Sequence, residues 1–138
     1  MFVEEAMSHQ PHSASAATSV REAMRMLVES DIRHLPIVDG SRLVGIVSVR
    51  DLPAMVAAGV AQFGDPHEVE QVLDQPVSNV MTTDVTVVGP STDLGTAVDL
   101  MLAHKYGALP VVDGPEHNLV GILSYTDVLR IMRPALAR

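Results

Sequence analysis

The chain has 138 residues, of which 47% are hydrophobic and 3% aromatic, so its core must be largely aliphatic. A formal net charge of −8 argues against binding to a nucleic-acid backbone, because that requires a surplus of lysine and arginine. The absence of cysteine excludes disulfides, thiol nucleophiles and thiolate metal sites. The sequence shows neither a signal peptide nor an apolar run long enough to cross a membrane, so we expect a soluble, cytoplasmic protein.

The sequence repeats itself. Residues from Met7 to Gly40 align without a gap to residues from Met81 to Gly114, and LPIVDG falls on LPVVDG. Two extra residues within PEHN then shift the register, after which LVGIVSVRD meets LVGILSYTD. A repeat unit cannot bury its own apolar face alone, so the duplication predicts two units packed on each other.

The first repeat is predicted to cover residues 1–60. Apolar residues at helical spacing predict a helix from Val20, and Ser19 with Glu22 fits a capping box at its start. Two apolar stretches, LPIV and RLVGIV, predict a strand hairpin closed by a DG turn. A second helix is expected from about Val49.

A linker at residues 61–76 and a second repeat at residues 77–138 follow. In the linker, Pro66 after Asp65 predicts a short helix with Asp65 as its N-cap. The second repeat has the same order of elements: a helix that Ser91 or Thr92 could cap, a hairpin of LPVV and NLVGIL, and a helix from about Tyr125. Each repeat is therefore roughly strand, helix, strand, strand, helix, which predicts a mixed α+β fold.

The stretch GIVSVRD, which recurs as GILSYTD, is the most informative part of the repeat. Its Ser-x-x-Asp core fits a helix capping box, formed by Ser48 with Asp51 and again by Ser124 with Asp127. In that structural interpretation, the preceding glycine of each copy is a point of close packing in a strand.

A functional interpretation uses the same geometry. A helix N-terminus presents free N–H groups to a phosphate, and the serine hydroxyl adds a donor. An aspartate one turn away could accept from both vicinal hydroxyls of a ribose, while the glycine lets a flat ring approach the strand. The two interpretations are compatible, because a carboxylate has several lone pairs to divide between partners.

Each repeat has the same ordered pattern: a helix, LP(I/V)VD, a hairpin, LVGIhSxxD (h, a hydrophobic residue) and a second helix. This duplicated pattern resembles a pair of CBS domains, the module named from cystathionine β-synthase. The resemblance runs from about Val3 to Arg130. It implies two repeats packed through their sheets about a pseudo-twofold axis, with clefts that bind adenosine nucleotides or S-adenosylmethionine. It also implies that two such modules pair into a homodimer.

The resemblance also implies which residues bind the ligand. The serine of each SxxD motif contacts phosphate and the aspartate takes the ribose hydroxyls, at Ser48 and Asp51 and at Ser124 and Asp127. The other implied contacts are the basic pair Arg33 and His34 and the adenine-walling residues Ser13, Ala14, Val87 and Val88. From their positions in this sequence we add Lys105, which could supply charge from a helix end, Arg50, which could reach a phosphate, and Thr126, which could hydrogen-bond. The prolines Pro36 and Pro110 complete the predicted set.

Each basic residue also has an ordinary structural interpretation. Arg33 and His34 could be solvated residues at a turn between a helix and a strand, and Lys105 could complement the negative end of a helix. The second repeat carries Gly107 and Ala108 where the first has Arg33 and His34, so we expect two unequal clefts.

These features predict a stand-alone regulatory module that is not an enzyme, binds AMP, ADP or ATP, and needs no metal or cofactor. It would signal to an unknown target protein or through a homodimer, for which AMVAAGVA offers an apolar surface. The histidines show no metal-ligand spacing, and no nucleophile is paired with a base. Two alternatives stay open: an S-adenosylmethionine sensor and a ligand-free dimerisation scaffold.

Overall fold

A computed structural model describes residues 1–54, 57 and 66–137 of the chain. The helices are α1 (Val3–Ala6), α2 (Val20–Glu29), α3 (Pro66–Asp74), α4 (Leu94–His104) and α5 (Tyr125–Met132), with 3₁₀ turns at Val77–Asn79 and Arg133–Leu136. The strands are β1 (Ser8–His9), β2 (Ala14–Ser15), β3 (His34–Asp39), β4 (Arg42–Ser48), β5 (Ala108–Asp113) and β6 (Asn118–Ser124). Residues 51–54 are also helical.

The chain divides into two compact units. The first unit is His12–Val85, and the second combines Met1–Pro11 with Thr86–Arg138. Each unit contains both helices and paired strands, which confirms the predicted mixed α+β fold class. The second unit therefore includes the opening segment of the first sequence repeat.

The sheet of the first unit is built on the predicted hairpin. Strands β3 and β4 pair antiparallel, and Gly40 closes their turn with a φ of 63°, a conformation that favours glycine. Strand β2 pairs parallel to β3, and Thr82 forms an antiparallel bridge to Ile46 of β4. The hairpin is therefore extended on one side by β2 and on the other by a residue of the second sequence repeat.

The second unit repeats this arrangement. Strands β5 and β6 form the antiparallel hairpin, and Gly114 has a φ of 77° in the connecting turn. Val88 bridges in parallel to Val111 of β5, while β1 pairs antiparallel to β6 through Ser8 and His9. Each hairpin is thus edged by the opening segment of the other sequence repeat.

Each unit has its own aliphatic core, in which the predicted apolar helix face packs on the hairpin. Burying this much apolar surface is the main force that holds each unit together. In the first unit the buried residues are Ala14, Val20, Ala23, Leu27, Leu35, Ile37, Val47, Leu52 and Val77. In the second they are Val3, Met7, Val88, Ala97, Met101, Leu109, Val111, Leu123 and Val128.

A glycine in each hairpin makes room for a methionine. A Cβ on Gly45 would lie 2.5 Å from the Sδ of Met81, and a Cβ on Gly121 would lie 2.5 Å from the Sδ of Met7. Real side chains do not pack that closely, so any side chain there would force the methionine to move. This geometry supports the close-packing interpretation of the two glycines.

The capping of α2 is confirmed in part. The Ser19 side chain is the N-cap and accepts a hydrogen bond from the backbone N–H of Glu22 at 3.1 Å. The expected return bond from Glu22 is not formed, because the Glu22 carboxylate accepts instead from Arg25, with Arg25 Nε at 2.8 Å. An ion pair one turn along the helix therefore replaces half of the capping box.

The predicted cap of α4 is wrong. The N-cap is Asp93, whose side chain accepts from the N–H of Thr96 at 3.2 Å. Thr92 instead accepts from the N–H of Gly89 at 3.0 Å and so stabilises the turn before the helix. The true cap is a third polar residue, adjacent to the two that were predicted.

Two further predictions concern the middle of the chain. The linker helix is confirmed as α3, whereas its expected cap Asp65 lies outside the described residues. The helix after the first SxxD motif begins at Asp51 and not at Val49, which lies in a turn. Most of the AMVAAGVA stretch also lies outside the described residues.

Candidate functional site

The predicted ligand-binding residues fall into two sets, one in each unit. The first set is Ser13, Ala14, Arg33, His34, Pro36, Ser48, Arg50 and Asp51, within His12–Val85. The second set is Val87, Val88, Lys105, Pro110, Ser124, Thr126 and Asp127, within Thr86–Arg138.

The hairpin of the first unit brings three members of the first set together. His34 at the start of β3 pairs directly with Ser48 at the end of β4. The backbone continues this contact, since the N–H of Val49 donates to the carbonyl of Arg33 at 2.8 Å. Residues directly opposite each other in an antiparallel pair have neighbouring side chains. The basic residues Arg33 and His34 therefore lie beside the SxxD motif.

The first SxxD motif caps the helix that begins at Asp51. The Ser48 Oγ accepts from the backbone N–H of Asp51 at 3.0 Å, which satisfies one free donor of the first helical turn. Asp51 itself is exposed. Its carboxylate accepts no hydrogen bond from any residue that the structure describes, so this oxygen pair is available to a ligand.

The basic residues near Asp51 differ in their charge at neutral pH. Arg33 and Arg50 are exposed, and neither guanidinium forms an ion pair within the described part of the chain. Burial lowers the pKa of His34 below 6.5, and the positive charge of Arg33 acts in the same direction, while the charge of Asp51 opposes both. His34 is therefore mainly uncharged at neutral pH, and the arginines supply the positive charge of the first set.

The second SxxD motif forms a complete capping box at the start of α5. The Ser124 Oγ accepts from the N–H of Asp127 at 3.2 Å, and the N–H of Ser124 donates to Oδ2 of Asp127 at 2.9 Å. The hydroxyl of Ser124 also lies 3.0 Å from the same oxygen. Asp127 is only 4% exposed, in contrast to Asp51.

Two residues that the sequence analysis missed complete the surroundings of Asp127. The Ser8 Oγ donates to Oδ1 of Asp127 at 3.3 Å, and Arg130 donates to the same oxygen at 3.2 Å. Arg130 follows Asp127 by three residues on a helix, a spacing that could have indicated the pair. Ser8 reaches the site through the pairing of β1 with β6, which the repeat pattern did not predict.

Lys105 lies at the C-terminal end of α4 and not at a helix N-terminus. It is the C-cap of α4, exposed, with a left-handed φ of 57°. Next to it, the rings of His104 and Tyr106 stack with their centroids 5.3 Å apart. The position fits the structural interpretation, in which a cation complements the helix C-terminus.

Except for Thr126, the remaining predicted residues lie on or next to the strands. Ala14 and Val88 are each 6% exposed and pair with the central strands, whereas Ser13 and Val87 are half-buried. The prolines Pro36 and Pro110 are fully buried. Thr126 is exposed on the first turn of α5.

Residues 1–54, 57 and 66–137 contain neither a metal-ion cluster nor a membrane-spanning helix. These residues include no cluster of three or more histidine, aspartate and glutamate side chains placed to hold a metal ion. No helix in the same part of the chain is long and apolar enough to span a membrane.

A family model for the CBS domain matches this chain twice, at residues 3–54 and 77–134. The chloroplastic CBS domain-containing protein CBSX2 of Arabidopsis thaliana is 32% identical over 137 residues, a match that covers 86% of this chain and 57% of CBSX2. A homoserine O-acetyltransferase of Methanocorpusculum labreanum is 35% identical over 127 residues, which cover 91% of this chain and 23% of the acetyltransferase. The chain thus spans less than two thirds of the length of these curated relatives.

Solved structures with similar folds include two that contain ligands. CBSX2 in complex with AMP superposes with a TM-score of 0.82 at 32% identity, covering 99% of this chain and 98% of that chain. The CBS domain pair of protein MJ0100, in complex with 5′-methylthioadenosine and S-adenosylmethionine, superposes with a TM-score of 0.78 at 26% identity, covering 98% of each chain. Both neighbours therefore hold ligands that contain adenosine.

Proposed function

This chain belongs to the CBS domain family, and from that premise we propose that it is a regulatory module that binds an adenosine nucleotide, AMP, ADP or ATP. An adenosine-type ligand is supported by the AMP bound to CBSX2 and by the S-adenosylmethionine and methylthioadenosine bound to MJ0100. Our choice of a phosphate-bearing ligand depends on the positive charges of Arg33 and Arg50 in the first set.

The observation that carries the proposal is the helix start at Ser48 and Asp51. The exposed Asp51 carboxylate can accept from both vicinal hydroxyls of a ribose, which is the bidentate pattern that a carboxylate favours. The first-turn N–H groups, together with Ser48, are suited to a phosphate. One short segment of chain thus offers groups for two parts of a nucleotide.

The neighbouring arginines favour a phosphate over the sulfonium of S-adenosylmethionine. Arg33 and Arg50 are exposed and carry positive charge beside the motif, and a guanidinium binds phosphate through parallel hydrogen bonds. S-adenosylmethionine carries a positive sulfonium and would gain little from them. It remains the alternative ligand, because MJ0100 binds it.

A ligand-free scaffold is the second candidate function. The complete capping box of Ser124 and Asp127 favours it, since that motif is fully used in holding α5. Under this alternative the first motif is also only a helix cap. The two functions differ in one property, the binding of a nucleotide.

The output of the module is part of the proposal. No catalytic activity is transferred from the homoserine O-acetyltransferase, because the match covers 23% of that protein. We propose instead that nucleotide binding shifts the population of conformers, and that a separate target protein or a homodimer responds in the cytoplasm.

Thermal unfolding with added ligands tests the proposal. A ligand at about 100 times its Kd adds about 2.7 kcal/mol of stability, or about 5–10 °C in Tm for a chain of this size. We expect this shift with an adenosine phosphate but not with GMP, and we expect Asp51→Ala to reduce it. Asp99→Ala, which removes an exposed carboxylate from α4, is the matched control. No shift with any adenosine ligand would favour the scaffold.

A further inference from the structure

We infer that the chain binds one nucleotide, at Ser48 and Asp51, and that Arg130 and Ser8 close the equivalent position at Asp127. The inference rests on the proposed function and deepens it by assigning the site and the residues that determine it. It follows from a difference between two motifs with the same Ser-x-x-Asp spacing.

The carboxylate of Asp127 is saturated by donors from its own unit. Oδ1 accepts from Ser8 at 3.3 Å and from Arg130 at 3.2 Å. Oδ2 accepts from the N–H of Ser124 at 2.9 Å and from its hydroxyl at 3.0 Å. A carboxylate has about four lone-pair sites, so a ribose must displace existing donors before it can bind.

The carboxylate of Asp51 has no such competitors among the described residues. The repeat places Ala54 where the second copy has Arg130, and alanine has no donor in its side chain. In the first unit Thr82 takes the place that Ser8 has in the second unit, and no hydrogen bond joins the Thr82 hydroxyl to Asp51 in the described structure. Neither Ala54 nor Thr82 thus supplies the bond that its counterpart, Arg130 or Ser8, donates to Oδ1 of Asp127.

Exposure adds to this difference. Asp51 is exposed, whereas the side chain of Asp127 is only 5% exposed and is paired with Arg130. The Arg130 side chain is itself 70% exposed, so it lies at the surface and is not part of the core. Removing it should uncover Asp127 without disrupting the fold.

Isothermal titration of the full chain with AMP tests the inference through stoichiometry. We expect one site in the unmodified chain, lost in Asp51→Ala and retained in Asp127→Ala. The double variant Ser8→Ala/Arg130→Ala should gain a second site, because it removes both donors that compete with a ribose for Oδ1 of Asp127. Removing one net competing hydrogen bond should raise the affinity for AMP there by about tenfold. Arg133→Ala, which removes a neighbouring exposed arginine, is the matched control and should keep one site.

Several outcomes would overturn the inference while leaving the proposed function intact. These are two equal sites in the unmodified chain, a single site that depends on Asp127, and a double variant that still binds one AMP or none. A different result, no binding of AMP, ATP or S-adenosylmethionine by the folded chain, would overturn the proposed function itself.

Discussion

The two helix starts at Ser48–Asp51 and Ser124–Asp127 share a sequence pattern but differ in how the aspartate is used. In the second, four hydrogen bonds hold a buried carboxylate in place. In the first, the carboxylate is exposed, and the serine caps the helix through a single bond from the N–H of Asp51 at 3.0 Å. A motif that stabilises one repeat can therefore serve a ligand in the other, depending on neighbours outside the motif.

Replacing each aspartate should give the largest contrast. Asp127→Ala leaves buried donors unsatisfied and removes part of a helix cap, so we expect a loss of about 2–3 kcal/mol in the free energy of unfolding. Asp51→Ala removes only an exposed charge near a helix N-terminus and should cost less than about 1 kcal/mol. Urea unfolding of both variants measures the difference. Equal losses would mean that the two aspartates have the same structural role.

The hairpin glycines should behave alike, in contrast to the aspartates. Gly45→Ala and Gly121→Ala each place a Cβ against a methionine sulfur and about 3.0 Å from a backbone oxygen. We expect each to lose about 1–2 kcal/mol by overpacking, as measured by urea unfolding.

Two further variants sharpen this prediction. Adding Met7→Ala to Gly121→Ala should give a smaller loss than the sum of the single changes, because the alanine vacates the contested space. Gly89→Ala is the control, since its Cβ would meet nothing closer than 3.7 Å. If Gly89→Ala were as costly as Gly121→Ala, the methionine contact would not be the cause.

Removing the N-cap side chains of α2 and α4 should cause an intermediate loss of stability. Asp93→Ala and Ser19→Ala should each cost about 1 kcal/mol, because each removes a side-chain acceptor at a helix N-terminus. Ser91→Ala should leave the thermal midpoint nearly unchanged. A loss at Ser91 as large as that at Asp93 would contradict the assigned cap.

The smallest effect concerns pH. Because the pKa of His34 is lowered by burial, the unfolded chain binds more protons than the folded chain as the pH falls below 6.5. Stability should therefore decline as the pH drops from 6.5 through the lowered pKa. Chemical unfolding between about pH 7.5 and about pH 5.5 measures this slope. His34→Gln should flatten the slope, and the exposed His12→Gln is the matched control; an unchanged slope in His34→Gln would contradict the account.

The sequence was most informative where structure depends on neighbours along the chain. Both hairpins and the helices α2, α4 and α5 follow from apolar spacing and turn residues, and the duplicated order led to the CBS domain family. The helix start at Asp51, two residues later than expected, and the Asp93 cap show that boundaries depend on details of the turn.

Long-range contacts account for what the sequence did not reveal. Ser8 lies far from Asp127 along the chain and reaches it only because β1 pairs with β6. Likewise, Met7 and Met81 fill the space beside glycines of a different repeat. The closure of one motif depends on these contacts, so it could not be predicted from the motif itself. The repeat boundaries and the ligand contacts stay predictions.

The central claim is that a nucleotide binds at Ser48 and Asp51, and amide NMR during a titration with AMP tests it most directly. The account predicts saturable shifts in the amide signals of residues 48–52 and of Arg33 and His34, with much smaller shifts at residues 124–128. The absence of saturable shifts, or shifts concentrated at residues 124–128, would contradict it.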